Sequence, residues 1–217
     1  MFTHVIFDLD GTLLDTLEDL ADATNWVCAQ HGWPTHPVEA YKYFIGNGAA
    51  KLVERAAPKD VEMTDGLRAE LLEQFTQRYN AHKQDKTAPY PGIPQMLEKL
   101  KGAGVTMAVL TNKPDAAARP IVEGYFPGVF EAVQGALPGV PTKPDPTALF
   151  HLMERIGAGA EHTLFVGDSN VDIQTAKNGG LHSCGVLWGF RTREELLGEG
   201  AEHLAAAAEE LTGLILA

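Results

Sequence analysis

Val5-Ile6-Phe7-Asp8-Leu9-Asp10-Gly11-Thr12-Leu13-Leu14-Asp15-Thr16 carries an apolar run straight into two carboxylates and a glycine turn. Val5 to Phe7 have the unbroken apolar character of a buried strand. Side chains alternate along a strand, so Asp8 and Asp10 face the same side where it ends, and two like charges meet at one point. Such a pair repels. Keeping both ionised requires a divalent cation, a nearby lysine or a shared proton.

Three later strand ends supply partners for that pair. Val105 to Leu110 is an apolar strand that stops at Thr111-Asn112, with Pro114 where a helix can begin. Lys143 sits in Pro141-Thr142-Lys143-Pro144-Asp145-Pro146, where prolines stiffen the backbone and Asp145 and Pro146 suit a helix start. Thr163 to Val166 reads as a strand, followed by the Gly167 turn and by Asp168 and Asp172, about one helical turn apart. Taken alone, Thr111 reads as a helix cap, Lys143 as a solvated surface lysine and Asp168 with Asp172 as partners of a helix dipole. Their common placement at strand ends favours a shared site.

In order, these residues match four signature motifs, and the chain resembles the haloacid dehalogenase-like superfamily, in detail its phosphoglycolate phosphatase branch. The matches are Asp8-x-Asp10-Gly11-Thr12-Leu13-x-Asp15, Thr111 after an apolar strand, Lys143, and Gly167-Asp168-x-x-x-Asp172. Weaker matches to the branch are Ile45-Gly46-Asn47-Gly48-Ala49 with Glu54-Arg55-Ala56, Tyr90-Pro91-Gly92, Thr111-Asn112-Lys113-Pro114 and Gly185-Val186-Leu187-Trp188-Gly189-Phe190. The resemblance covers nearly the whole chain.

The 217 residues suffice for one main core and a smaller insertion. From Thr16 to Lys83 the pattern is helical: Leu17, Leu20, Ala21, Thr24 and Val27 recur at helical spacing, as do Leu67, Leu71, Leu72 and Phe75. Residues 16–83 therefore read as an all-helical cap, and 1–15 with 84–217 as a catalytic core. In that core, strands near 105–110, 131–135, 163–166 and 183–187 alternate with helices near 93–102, 115–124, 147–156, 171–178 and 193–197. Such alternation implies an α/β, doubly wound, Rossmann-like parallel sheet, which binds ligands beyond the carboxyl ends of its strands. The Ala205–Ala208 run reads as part of a terminal helix, and Trp26 and Trp33 as cap packing.

Lys and Arg number 17 against 29 Asp and Glu, a net charge of −12 that repels polyanions and argues against a nucleic-acid partner. Cys28 and Cys184 are too few for a disulfide framework and read as buried thiols of a reducing compartment. No apolar stretch reaches membrane-spanning length and the catalytic strand begins at once, so a cytoplasmic protein without a membrane partner is expected, as a monomer or homodimer.

The resemblance implies chemistry. Asp8 would be the nucleophile forming an aspartyl-phosphate, and Asp10 would protonate the leaving alkoxide and then activate water. Mg²⁺ would be held by Asp8, the backbone carbonyl of Asp10 and Asp168, with Asp172 in support. Thr111, Lys143 and the Gly11 and Asn112 amides would hold the transferring oxygens. Gly46, Asn47 and Arg55 in the cap would contact the substrate, a small phosphorylated metabolite with 2-phosphoglycolate leading. Asp15 reads equally as active-site support or helix cap. Alternatives are a phosphomutase resembling β-phosphoglucomutase, a pyrophosphatase, a sugar-phosphate phosphatase and, outside catalysis, an inactive metabolite-binding protein.

Overall fold

The computed structural model describes residues Met1–Ala217. It forms two compact units, Met1–Leu14 with Pro89–Ala217, and Asp15–Ala88. After strand β1 (His4–Phe7), the two-residue strand β2 (Leu14–Asp15) marks the exit from the first unit. Helices α1 (Leu17–Gln30), α2 (Tyr41–Phe44), α3 (Ala49–Ala56) and α4 (Asp65–His82) build the second unit, and β3 (Ala88–Pro89) marks the return.

The second unit is held by the stripes its sequence announces. Leu17, Leu20, Ala21, Thr24 and Val27 of α1 are buried, as are Leu71, Phe75 and Tyr79 of α4. Leu67 and Leu72 are only partly buried. The Asp19 carboxylate is buried yet satisfied, because it accepts hydrogen bonds from Lys86 N, Thr87 N and Thr87 Oγ1. Trp26 packs within this unit only in part: it is 37% exposed, with the Arg78 guanidinium of α4 5.8 Å from its ring centroid. A cation over an indole face leaves the ring half in water.

The first unit carries a parallel six-stranded sheet. Its strands after the return are β4 (Thr106–Pro114), β5 (Ala132–Ala136), β6 (Thr163–Gly167), β7 (His182–Val186) and β8 (His203–Ala205), in the order β5-β4-β1-β6-β7-β8. Between them run α5 (Ile93–Gly102), α6 (Asp115–Tyr125), α7 (Thr147–Ile156), α8 (Asn170–Gly179), α9 (Arg193–Gly198) and α10 (Ala208–Leu216). Val5 and Phe7 of β1 pack with Ile93, Leu97, Ile121 and Leu211 from α5, α6 and α10, while Ile6 packs with Leu149, Leu152 and Ala176 from α7 and α8. Both faces of the sheet are thus covered, which is why the opening strand reads as an unbroken apolar run.

Two elements differ from expectation. Ala205 ends strand β8 rather than lying in the terminal helix, which starts at Ala208. β8 is a three-residue edge strand paired only with β7, too short to show a strand period. Strand β4 runs on to Pro114 through an irregular stretch between Leu110 and Pro114. A bulge re-aims side chains, and here Thr111, Asn112 and Lys113 are all buried within it. No helix is long and apolar enough to cross a membrane.

Candidate active site

Parallel register gathers the site. Phe7 of β1 lies opposite Val109 of β4 on one side and Val166 of β6 on the other, so Asp8, Thr111 and Asp168 follow within two residues of that level along three adjacent strands. Asp8, Asp168 and Asp172 are buried, and one carboxylate oxygen from each lies within 4.8 Å of the others.

Lys143 stands among them. Its Nζ donates to Asp172 Oδ1 at 2.7 Å and lies 2.9 Å from Asp8 Oδ1. The second contact is an ion pair off the line of a hydrogen bond, so Asp8 Oδ1 is buried without a hydrogen-bond donor. Burial pushes the Asp8 carboxyl up to about 7, aided by the charge of Asp172 and opposed by Lys143. Burial, then Asp172 and Asp8, raise Asp168 well above the usual carboxylate range. Burial alone would lower Lys143, but Asp172 and Asp8 outweigh it and raise the ammonium.

The supporting bonds fix each group. The Asp168 oxygens accept from Thr12 Oγ1 at 3.1 Å and Phe190 N at 2.8 Å. Asp172 Oδ2 accepts from Ser169 N at 3.0 Å and Ser169 Oγ at 2.7 Å, closing the capping box at the start of α8. The Asn112 side chain donates to Lys143 O at 2.9 Å and accepts from Lys143 N at 2.8 Å. Gly11 (φ 86°) and Gly189 both approach Asp168 where a Cβ would collide with its carboxyl group. Glycine there is a requirement of space.

An oxygen donor set of three buried carboxylates beside a single ammonium suits a hard divalent cation. The Asp8 oxygen without a hydrogen bond, and the upward push on Asp8 and Asp168, are what a cation would relieve. Asp172 already has an oxygen on Lys143 and the other on Ser169, so it braces the cluster from behind.

Among the residues singled out from sequence, the first unit brings together Asp8, Asp10, Gly11, Thr111, Asn112, Lys143, Asp168 and Asp172. The Gly11 N–H donates to Leu14 O at 2.9 Å, so it is not poised for a phosphate oxygen as expected, while the Asn112 side chain is engaged with the Lys143 backbone. At Gly11 the local turn takes precedence. Thr111 Oγ1 accepts from Lys113 N at 3.3 Å and keeps its hydroxyl proton to donate. Gly46, Asn47 and Arg55 lie in the second unit, where Arg55 donates to Asn47 Oδ1 at 2.7 Å and Phe44 O at 2.9 Å. Asp15 is exposed and accepts from Leu17 N at 3.3 Å, a local turn contact from the residue before Thr16, the N-cap of α1.

Sequence reasoning assigned no role to Lys113, Ser169 or Phe190. Lys113 is the weightiest: its buried Nζ lies 3.0 Å from each Asp10 oxygen. Its place two residues after Thr111 was the available signal, since alternation sets both on one side of an extended strand.

A family profile described as "Haloacid dehalogenase-like hydrolase" matches residues 5–186. The chain belongs to this family. Similar proteins of this hydrolase include a phosphoglycolate phosphatase of Pseudomonas syringae pv. syringae, 38% identical over 97% of the chain and 78% of that protein. A phosphoglycolate phosphatase of Vibrio parahaemolyticus is 35% identical over 97% of the chain and 95% of its own length. The crystal structure of a candidate phosphoglycolate phosphatase from Lactobacillus delbrueckii subsp. bulgaricus superposes with a TM-score of 0.91 at 34% identity, covering 99% of this chain and 98% of that one. Relatives and fold together place the hydrolase among the family's phosphatases.

Proposed function

We propose that this haloacid dehalogenase-like hydrolase is a Mg²⁺-dependent phosphatase of small phosphorylated metabolites, with 2-phosphoglycolate its substrate and an aspartyl-phosphate on Asp8 its intermediate. The observation that carries the reading is the buried Asp8 carboxylate, ion-paired to Lys143 yet without a hydrogen bond, beside Asp168 and Asp172. An oxygen so placed keeps a lone pair for attack on phosphorus. Its approach to a dianion is possible only where positive charge is concentrated. The named activity of the relatives supports the substrate.

Lys143 draws a phosphoryl oxygen against Asp8, and Thr111 donates its hydroxyl to another. Asp8 attacks phosphorus as the ester P–O bond breaks, and Asp10 gives a proton to the departing alkoxide. Asp10 then takes a proton from water as the water oxygen attacks phosphorus, releasing inorganic phosphate and restoring Asp8. Asp8, Asp168 and the Asp10 carbonyl would hold Mg²⁺, which supplies charge neutralisation and alignment for the phosphoryl group. Gly46, Asn47 and Arg55 would select the substrate.

The test is phosphate release from about a hundred phosphorylated metabolites with Mg²⁺, on the wild-type protein and on Asp8→Asn, because binding specificity is read only as kcat/KM differences among substrates. The expected result is net phosphate release, fastest from 2-phosphoglycolate and absent in the variant. Wild-type turnover by Asp8→Asn, or return of phosphate to a sugar without net release, overturns it.

A further inference from the structure

We infer that Lys113 is the positioning residue for Asp10, an assignment that rests on the reading above in which Asp10 carries the proton in both half-reactions. The two lysines divide the two aspartates of the opening strand between them. Lys143 serves Asp8, and Lys113 places its Nζ 3.0 Å from both Asp10 oxygens. The Lys113 side chain is 5% exposed and that of Asp10 13%, so the pair is nearly closed off from water.

A buried ammonium is retained only where it is paired, and a charge centred between two oxygens fixes the plane of the carboxylate that bears them. The irregular stretch of β4 carries both contacts, with Asn112 turned to Lys143 and Lys113 to Asp10 from consecutive positions. Each Asp10 oxygen keeps a further lone pair, so the grip leaves a proton-transfer face open.

The two half-reactions then depend on Lys113 differently for different esters. When Asp8 displaces an alkoxide such as glycolate, the P–O bond breaks as Asp10 delivers its proton, and a misplaced Asp10 slows that step. When the leaving group is p-nitrophenolate, it departs as a stable anion and formation of the aspartyl-phosphate needs no proton. Hydrolysis of that intermediate needs Asp10 to accept a proton from water in either case.

The experiment compares the full-length wild-type protein with Lys113→Met in Mg²⁺ buffer, on 2-phosphoglycolate and on p-nitrophenyl phosphate, by steady-state and stopped-flow kinetics. For Lys113→Met, kcat/KM on 2-phosphoglycolate should fall by about a hundredfold while that on p-nitrophenyl phosphate stays within about threefold, since general acid catalysis matters to the first ester alone. A burst of about one p-nitrophenolate per enzyme should then precede slow turnover, because the phosphorylated enzyme accumulates. Lys113→Arg should recover part of the loss. If the Met variant does not fold, Lys113→Gln provides the same comparison and the same expected split. Equal loss on both esters without a burst, or no loss on either, overturns the inference. A wild-type protein inactive on both esters, or an Asp10→Asn variant as fast as wild type, overturns the underlying reading and the inference with it.

Discussion

Asn112 and Lys143 are joined by two reciprocal hydrogen bonds, 2.9 Å from the Asn112 side chain to Lys143 O and 2.8 Å from Lys143 N to Asn112 Oδ1. The asparagine therefore behaves as a backbone clamp on the residue whose ammonium faces Asp8. Replacing Asn112 with Ala should leave a buried N–H and C=O of Lys143 unpaired and cost about 2 kcal/mol of stability by denaturant titration. Phosphate release should fall by about a hundredfold, because small misplacements of a positioning group are costly. Undiminished turnover would show that Lys143 is held without the clamp.

The acid cluster makes the metal-free protein sensitive to pH. The Asp8 carboxyl is raised to about 7 in the fold from an ordinary 3.8, and Asp168 is raised as well, so the folded state holds protons that the unfolded chain releases. The stabilisation is fully present below about pH 4 and lost as pH rises through about 7. For these groups, the melting temperature in chelator should fall between pH 5 and pH 8, and Asp8→Asn should flatten the slope. Mg²⁺ should raise the melting temperature more at pH 8 than at pH 5, since protons and metal compete for the same oxygens. A metal effect independent of pH would refute it.

Chelation should also abolish phosphate release, with Mg²⁺ restoring it better than Ca²⁺. The larger ion accepts more oxygens in a looser shell and aligns the phosphoryl group poorly. Full turnover in a metal-free preparation, verified by elemental analysis, contradicts the metal reading.

Gly189 comes so close to Asp168 and to Gly11 O that a methyl group has no place there. Gly189→Ala should cost about 1–3 kcal/mol through overpacking of well-ordered neighbours. Because the strain falls on Asp168, the variant should need more Mg²⁺ for half-maximal rate. Loss of stability with an unchanged Mg²⁺ requirement would confine the glycine to a packing role.

Asn47 and Arg55 form a bonded pair within the second unit. If they choose the substrate, Asn47→Ala or Arg55→Ala should lower kcat/KM for 2-phosphoglycolate by about tenfold or more and that for p-nitrophenyl phosphate far less. Equal losses on both esters would remove them from substrate selection.

The parallel sheet was legible because β1 is apolar on both faces and because strand and helix periods alternate after Pro89. The order of Asp8, Asp10, Thr111, Lys143, Asp168 and Asp172 along strand ends made much of the site readable too. Lys113 was not. Its partner Asp10 lies 103 residues earlier in the chain, so no local pattern around Lys113 announces the pair. The engagement of Gly11 N by Leu14 O was hidden likewise, being a matter of turn geometry rather than residue type. β8 escaped notice because three residues at an edge carry no period.

Asp172 binds the ammonium of Lys143 with one oxygen and seals the first turn of α8 through Ser169 with the other. One carboxylate is thus both a rivet of the scaffold and an anchor for the buried lysine. An exchange at this position that spared the chemistry would still unfasten the helix, and one that spared the helix would still set the lysine adrift. The site and the fold share a residue that neither can alter alone.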